Sequence, residues 1–268
     1  MPPTNTPRKT LAAAAAALAL LPLAGHADTY PSRPVTIVVA YPPGGSTDML
    51  TRLIAANLEK KLGQPFIVLN KPGAAGNIGT AWAARAAPDG YTLAHSYVGT
   101  LAINPALYKK LPYDPKDLIG ISPFASIPLF MVTPAGNGIH SLSELITKAK
   151  SHPGGLSYAM VGIGSPSHVF AEMFSARAGI KVLGVPFNGA GPAVTSLIGG
   201  QVDYMLTAGQ VMQQVKAKKL TALATTDGKR SENFPDLPTV AETLPGFEAV
   251  SWHAFSPPRE RPSRSSIC

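Results

Sequence analysis

Cysteine is nearly missing from this chain: of 268 residues only Cys268, the last, carries a thiol. No internal disulfide can form, and thiolate metal sites are excluded. The six histidines never reach a metal-ligand spacing such as His-x3-His, so neither a metal nor a cofactor is expected. Long apolar runs are equally scarce. Leu11–Leu23 is the one extended stretch, and it falls short of the ~20 residues that cross a bilayer. The chain has no Gly-x4-Gly-Lys-Ser/Thr phosphate loop and no Gly-x-Ser-x-Gly nucleophile turn. Its net charge is +8, but the cations are scattered, apart from Lys216, Lys218 and Lys219 near the end of an expected helix. No basic–aromatic interleaving marks a nucleic-acid surface, and that class of partner is set aside.

What is present starts with a leader. Arg8-Lys9, the apolar Leu11–Leu23 and the small-residue site Gly25-His26-Ala27 follow the order of a secretory signal peptide cleaved after Ala27. The mature chain is expected to be soluble outside the cytoplasm. Its most informative stretch follows: the β-branched run Val35–Tyr41 breaks at Pro42-Pro43-Gly44-Gly45 and resumes as Ser46-Thr47-Asp48 before a helical pattern. A helix start of this kind presents unpaired N–H donors and the positive end of a dipole, which suits a carboxylate.

Strand-like and helix-like segments alternate through residues 28–255, which argues for an α/β fold. A duplication is visible within them. Val35–Tyr41, Phe66–Asn70 and Pro88–Ser96 each precede or follow a glycine-rich turn, and Leu156–Val161, Val182–Phe187 and Gly199–Thr207 repeat that order. Two lobes of similar plan are therefore expected, linked by Ile119–Ile127 going out and Leu220–Thr226 coming back, with the glycine-rich turns facing one cleft. The corresponding division is a signal peptide at 1–27, a first lobe at 28–122, a second at 123–227 and a return to the first at 228–255. Ser141-Leu-Ser-Glu144 reads as a capping box opening a helix in the second lobe. The last stretch, 256–268, has neither period nor core residues and reads as a disordered tail or as an aberrant end produced by a sequence lesion.

Several strings in order carry a resemblance: Tyr30-Pro-Ser-Arg-Pro34, Pro42-Pro-Gly-Gly-Ser-Thr-Asp48, Asn70-Lys-Pro-Gly-Ala-Ala-Gly-Asn77 and Ala87-Pro-Asp-Gly-Tyr-Thr92. Ala102-Ile-Asn-Pro-Ala-Leu-Tyr108, Leu111-Pro-Tyr-Asp114, Gly199-Gly-Gln-Val-Asp203 and Leu237-Pro-Thr-Val-Ala-Glu242 continue it. Over Tyr30–Phe255 the chain resembles the Bug-type, TctC-like extracytoplasmic solute receptors of tripartite tricarboxylate transporters. The resemblance implies a two-lobed periplasmic-binding-protein fold of type II, a Venus flytrap, with the C-terminal helices of the first lobe missing here. It also implies a periplasmic, monomeric receptor that holds a small carboxylic acid through backbone groups, hydroxyls and water, and serves membrane transporter subunits. By position, the first-lobe candidates are Gly45, Ser46, Thr47, Asp48, Ala74, Gly76 and Asn77, with Ser96, Gly99 and Thr100 at the cleft or its hinge. Second-lobe candidates are Gly164, Ser165, Ser167, His168, Asn188, Gly189 and Ala190.

The chain departs from the family pattern in places. Pro186-Phe187-Asn188-Gly189 stands where members commonly read Pro-Tyr-Lys-Gly, and Thr207-Ala208-Gly209 where Asp-Asn is frequent. Both changes remove polar or charged groups and favour a ligand with one carboxylate on a partly apolar body. Two alternatives stand beside the receptor: a secreted α/β hydrolase built on Ser165 and His168 with Asp203 downstream, or a truncated product without function. Gly73-Ala-Ala-Gly-Asn-Ile-Gly79 lacks the dinucleotide-loop spacing. His95 and His253 read as core or hinge residues, Trp82 as packing, Trp252 as packing or part of a cleft wall, and Tyr97, Phe130 and Phe187 as core or as a stacking surface.

Overall fold

β-Branched runs separated by glycine turns build two five-stranded sheets in the computed structural model, which describes residues 30–260. In the first sheet β1 (Val35–Val39), β2 (Phe66–Asn70) and β3 (Thr92–Tyr97) run parallel, joined by α1 (Ser46–Leu62) and α2 (Asn77–Ala84). The last strand, β10 (Val250–Ser256), lies antiparallel between β3 and β4 (Ser122–Pro128), giving the order β2-β1-β3-β10-β4. The short α3 (Asn104–Leu107) lies between β3 and β4 in the chain.

The second sheet repeats the plan. β6 (Ser157–Met160), β7 (Leu183–Pro186) and β8 (Tyr204–Thr207) are parallel, joined by α5 (Pro166–Ala178) and α6 (Ala190–Ile198). β5 (Phe130–Pro134) lies antiparallel between β8 and β9 (Leu220–Thr225), so the order is β7-β6-β8-β5-β9. α4 (Leu142–Ser151), α7 (Met212–Lys216) and α8 (Val240–Thr243) complete the elements. Ser141 caps α4 by accepting the Glu144 N–H at 3.2 Å, whereas the Glu144 carboxylate accepts the His140 N–H at 2.6 Å and not that of Ser141, so half of the expected capping box forms. Helix α1 ends where Gly63 turns left-handed (φ 71°) and its N–H reaches the Glu59 carbonyl.

Each sheet is apolar on both faces. In the first lobe Val35, Ile37 and Phe66 pack with Ala55 of α1, and Val38 and Ala94 pack with Ala81 and Ala84 of α2. In the second, Tyr158, Phe174 and Tyr204 form one core, and Val132, Leu197 and Met205 the other.

Three boundaries differ from the sequence reading. β4 belongs to the first sheet, so the second lobe starts at Leu129 rather than at 123. β9, inside the second lobe as divided from sequence, closes the edge of the second sheet. Residues 228–249 stay there too, with Val240 and Phe247 buried against the core of Tyr158 and Phe174. The expected tail is paired at its start: Ser256 ends β10, Ile119 N–H bonds to the Pro257 carbonyl at 3.0 Å and Arg259 N–H to that of Asp117 at 2.7 Å. Ile119 and Ile121, beside this edge, are exposed. Residues 261–268 and the signal-peptide segment 1–27 lie outside the described residues.

The chain passes between lobes at Leu129 and again near Ala249, and one buried side chain ties both crossings. Thr226 Oγ1 accepts the Leu129 N–H at 2.8 Å and donates to the Ala249 carbonyl at 2.5 Å. Its backbone adds two bonds of 2.9 Å, from its N–H to the Leu129 carbonyl and from the Ala249 N–H to its own carbonyl.

A second buried chain joins β10 to α1. Thr51 Oγ1 donates to the Thr47 carbonyl at 2.6 Å, which leaves its oxygen to accept from His95 Nδ1. His95 Nε2 must then accept from His253 Nδ1, 2.8 Å away, and His253 Nε2 accepts from Ser251 Oγ at 3.3 Å. The tautomers follow from this network: every group donates toward α1 and both imidazoles are neutral. Burial pushes both imidazoles down, His95 well below the ordinary 6.5 and His253 to about 4.

Two measurements test these features. Thr226→Val keeps the shape but strands a buried N–H and a buried carbonyl, and should lower unfolding free energy by about 2–4 kcal/mol in denaturant titration. The folded protein binds fewer protons at these histidines than the unfolded chain, so their contribution is complete above pH ~6.5 and is lost as pH falls toward 4. For His253 this is worth about 3 kcal/mol. Melting temperature should fall across that window, and His253→Asn should flatten the fall.

Candidate ligand cleft

The carboxyl ends of the parallel strands in both lobes open onto one cavity of about 190 Å³. Three helices begin there. α1 follows β1 through Pro42-Pro43-Gly44-Gly45, and its cap residue Gly45 offers no side chain to the first-turn amides. α6 is capped in the same way by Gly189 (φ 122°), a backbone conformation that favours glycine. The amides of Ser46 and Thr47 and of Ala190 and Gly191 therefore have no acceptor inside their helices. α5 differs, because Ser165 caps it: its Oγ accepts the His168 N–H at 3.3 Å and bonds the Gly162 carbonyl at 2.9 Å. Ser167 Oγ lies 2.8 Å from Ser165 Oγ and accepts the Val161 N–H at 2.9 Å.

The remaining wall comes from the hinge side, through Ile127, Leu129, Ser251 and His253, with Tyr41 and Tyr97 beside them. Tyr97 donates to Tyr41 Oη, and Tyr41 donates to the Ala75 carbonyl at 2.8 Å. Burial raises both phenols above their ordinary range. Leu206, Thr207 and Gln210 close the second-lobe side.

Eight of the residues named from sequence line this cavity: Gly45, Ser46, Thr47, Ser165, Ser167, Asn188, Gly189 and Ala190. Nine others do not. Asp48 folds back onto Gly44 N–H (3.0 Å), Arg52 (2.9 Å) and Asn70 (2.9 Å); burial opposes its charge, but these bonds outweigh it and hold the carboxyl below the usual range. His168 Nδ1 accepts the Gly164 N–H at 3.1 Å. Asn77 is taken by Asn104 (2.7 Å) and Tyr113 (3.1 Å). Ala74 and Gly76 flank Ala75, the acceptor for Tyr41, and a β-carbon at Gly76 would strike the Tyr41 ring at 2.9 Å. Thr100 Oγ1 turns to the Tyr97 carbonyl, and Ser96 is buried in β3 away from the cavity. Gly99, also named, leaves room for the Tyr97 side chain, whose hydroxyl and ring a β-carbon there would strike.

Gly164 touches the opposite lobe instead: a β-carbon there would sit 2.7 Å from Asn104 Oδ1 and 3.1 Å from Leu107. Tyr108 Oη donates to the Ile163 carbonyl beside it at 3.1 Å.

Sequence reasoning passed over Tyr41, Ile127, Leu129, Leu206, Ser251 and Gln210, and read His253 as core or hinge without placing it at the cavity. The one available signal was position: Tyr41 ends the strand run directly before the Pro-Pro-Gly-Gly turn. The hydrolase alternative fails on geometry. Ser165 bonds Gly162 and Ser167 rather than the His168 imidazole, and Asp203 is bound at 2.8 Å to the Ser157 N–H at the start of β6, the far end of the strand.

A family model described as tripartite tricarboxylate transporter family receptor, TctC, matches residues 50–265. Protein BugT of Bordetella pertussis is 40% identical over 237 residues, covering 87% of this chain and 73% of its own. Among solved structures, Rpa4515 of R. palustris with adipate superposes with a TM-score of 0.83 at 34% identity, covering 87% of this chain and 79% of that one. MatC of Rhodopseudomonas palustris with bound malate gives 0.80 at 35% identity, covering 87% and 80%. The shared architecture is that of two-lobed α/β periplasmic binding proteins. On the extent of these matches, the chain belongs to the TctC family of tripartite tricarboxylate transporter receptors, which are periplasmic solute-binding proteins and not enzymes.

Proposed function

We propose that the protein is exported to the periplasm by its N-terminal leader, closes on a small carboxylate in the interlobe cavity as a monomer, and delivers it to a tripartite transporter. One observation carries this reading. The N-termini of α1 and α6, from opposite lobes, meet at one cavity, and each is capped by a glycine that leaves its amides open. Backbone N–H donors aligned with two helix dipoles favour an anion, and each charge-assisted bond strengthens where water is excluded. Because one helix comes from each lobe, an anion between them would be bound best with the lobes together. The adipate and malate held by Rpa4515 and MatC are carboxylates and agree with this choice.

Ala190→Pro tests the reading without touching a side chain of chemical interest. Ala190 is the first residue of α6, where proline fits the helix and only an amide donor is removed. Calorimetric titration should show carboxylate affinity falling about 10- to 100-fold, with an unchanged melting temperature. Unaltered affinity would exclude this helix terminus from the site.

A further inference from the structure

The cavity is divided into a half with open donors and a half without, and this division specifies the ligand. On the helix side, Thr47 and Thr207 are each more than nine-tenths buried, line the cavity, and have hydroxyls with no hydrogen-bond partner among the described residues. On the hinge side every polar atom is already engaged. Ser251 donates to His253, His253 to His95, Tyr97 to Tyr41, and Tyr41 to the Ala75 carbonyl. Beside these engaged groups the wall carries the side chains of Ile127 and Leu129, with Leu206 fully buried among the lining residues.

Charge is divided as sharply. Among the described residues no Arg, Lys, Asp or Glu lines the cavity. Arg52, in the second turn of α1, is locked on Asp48 at 2.9 Å and lies outside the cavity. At position 188 there is Asn, whose amide carries no charge. The His253 imidazole is neutral because its single proton sits on Nδ1 toward His95 while Nε2 accepts from Ser251.

We infer that the ligand is a monocarboxylate with an apolar body, such as an aryl or branched-alkyl acid, and that a second carboxylate on the same molecule is rejected. This deepens the proposed function and rests on it. A second carboxylate would leave water for a wall with no donor and no counter-charge, which is strongly unfavourable. Size agrees: a dry cavity of about 150 Å³ lined by aliphatic and aromatic groups takes a benzene ring, and the 190 Å³ here has room for a ring plus its carboxylate.

The test is a titration of the purified full chain with benzoate, hexanoate, adipate, malate and citrate, followed by calorimetry and thermal shift. The expected result is that benzoate or hexanoate binds at least about 100-fold more tightly than any acid with two or three carboxylates. Ile127→Arg, on a half-buried position of the donor-free wall, should narrow that ratio at least tenfold by raising adipate affinity, its melt confirming that it folds. Equal or tighter binding of adipate or malate by the unaltered protein would overturn the inference while leaving the carboxylate receptor standing. Binding of none of the five acids would overturn both.

Discussion

Thr226 holds the molecule in its two-lobed form. Each sheet is completed by an antiparallel strand inserted at β5 or β10, and both strands start at segments that Thr226 grips. A lobe cannot shed its inserted strand without breaking a bond to that one side chain or its backbone. The cavity depends on the same crossing. Ile127 and Leu129 lie on one strand segment at the clasp, and Ser251 and His253 on the other, so the hinge and the inner wall of the cleft are one piece of structure.

That economy explains why the wall carries no free polar atoms. β10 is buried along most of its length, and a buried hydroxyl or imidazole must find its partner inside the protein. Ser251, His253, His95 and Thr51 do so in sequence and end on the carbonyl of Thr47 in the first turn of α1. The hinge wall and the first-lobe helix terminus are thus joined by a continuous line of hydrogen bonds. Donor capacity is left at the helix termini, where glycine caps withhold a side chain.

Much of the architecture was legible because strand-turn-helix units announce themselves locally. The duplicated order of β1-β2-β3 and β6-β7-β8, the α4 cap at Ser141 and the helix starts at Gly45 and Gly189 are written in contiguous residues. Strand partnership is not. A run such as Ser122–Pro128 shows which residues alternate but not which sheet receives them, so β4 was given to the wrong lobe and 228–249 likewise. The candidate site divided along the same line. Asp48 and His168 look like ligand groups, yet each is consumed by backbone and side chains within its own turn or an adjacent strand. His253 and Tyr97 look like core, and reach the cavity because β10 arrives beside β3 from far along the chain.

The contact at Gly164 sets a mechanical limit. With the first-lobe side chains of Asn104 and Leu107 already near where a β-carbon would stand, the approach of the lobes ends against backbone at this point. The smallest space the cleft can enclose is then a property of the protein, independent of how firmly any solute pulls the halves together. A solute too small to fill that space would gain no further grip from closure. The glycine works as a spacer of zero length, and size discrimination at the lower end is built into the rim of the cleft and not into its lining.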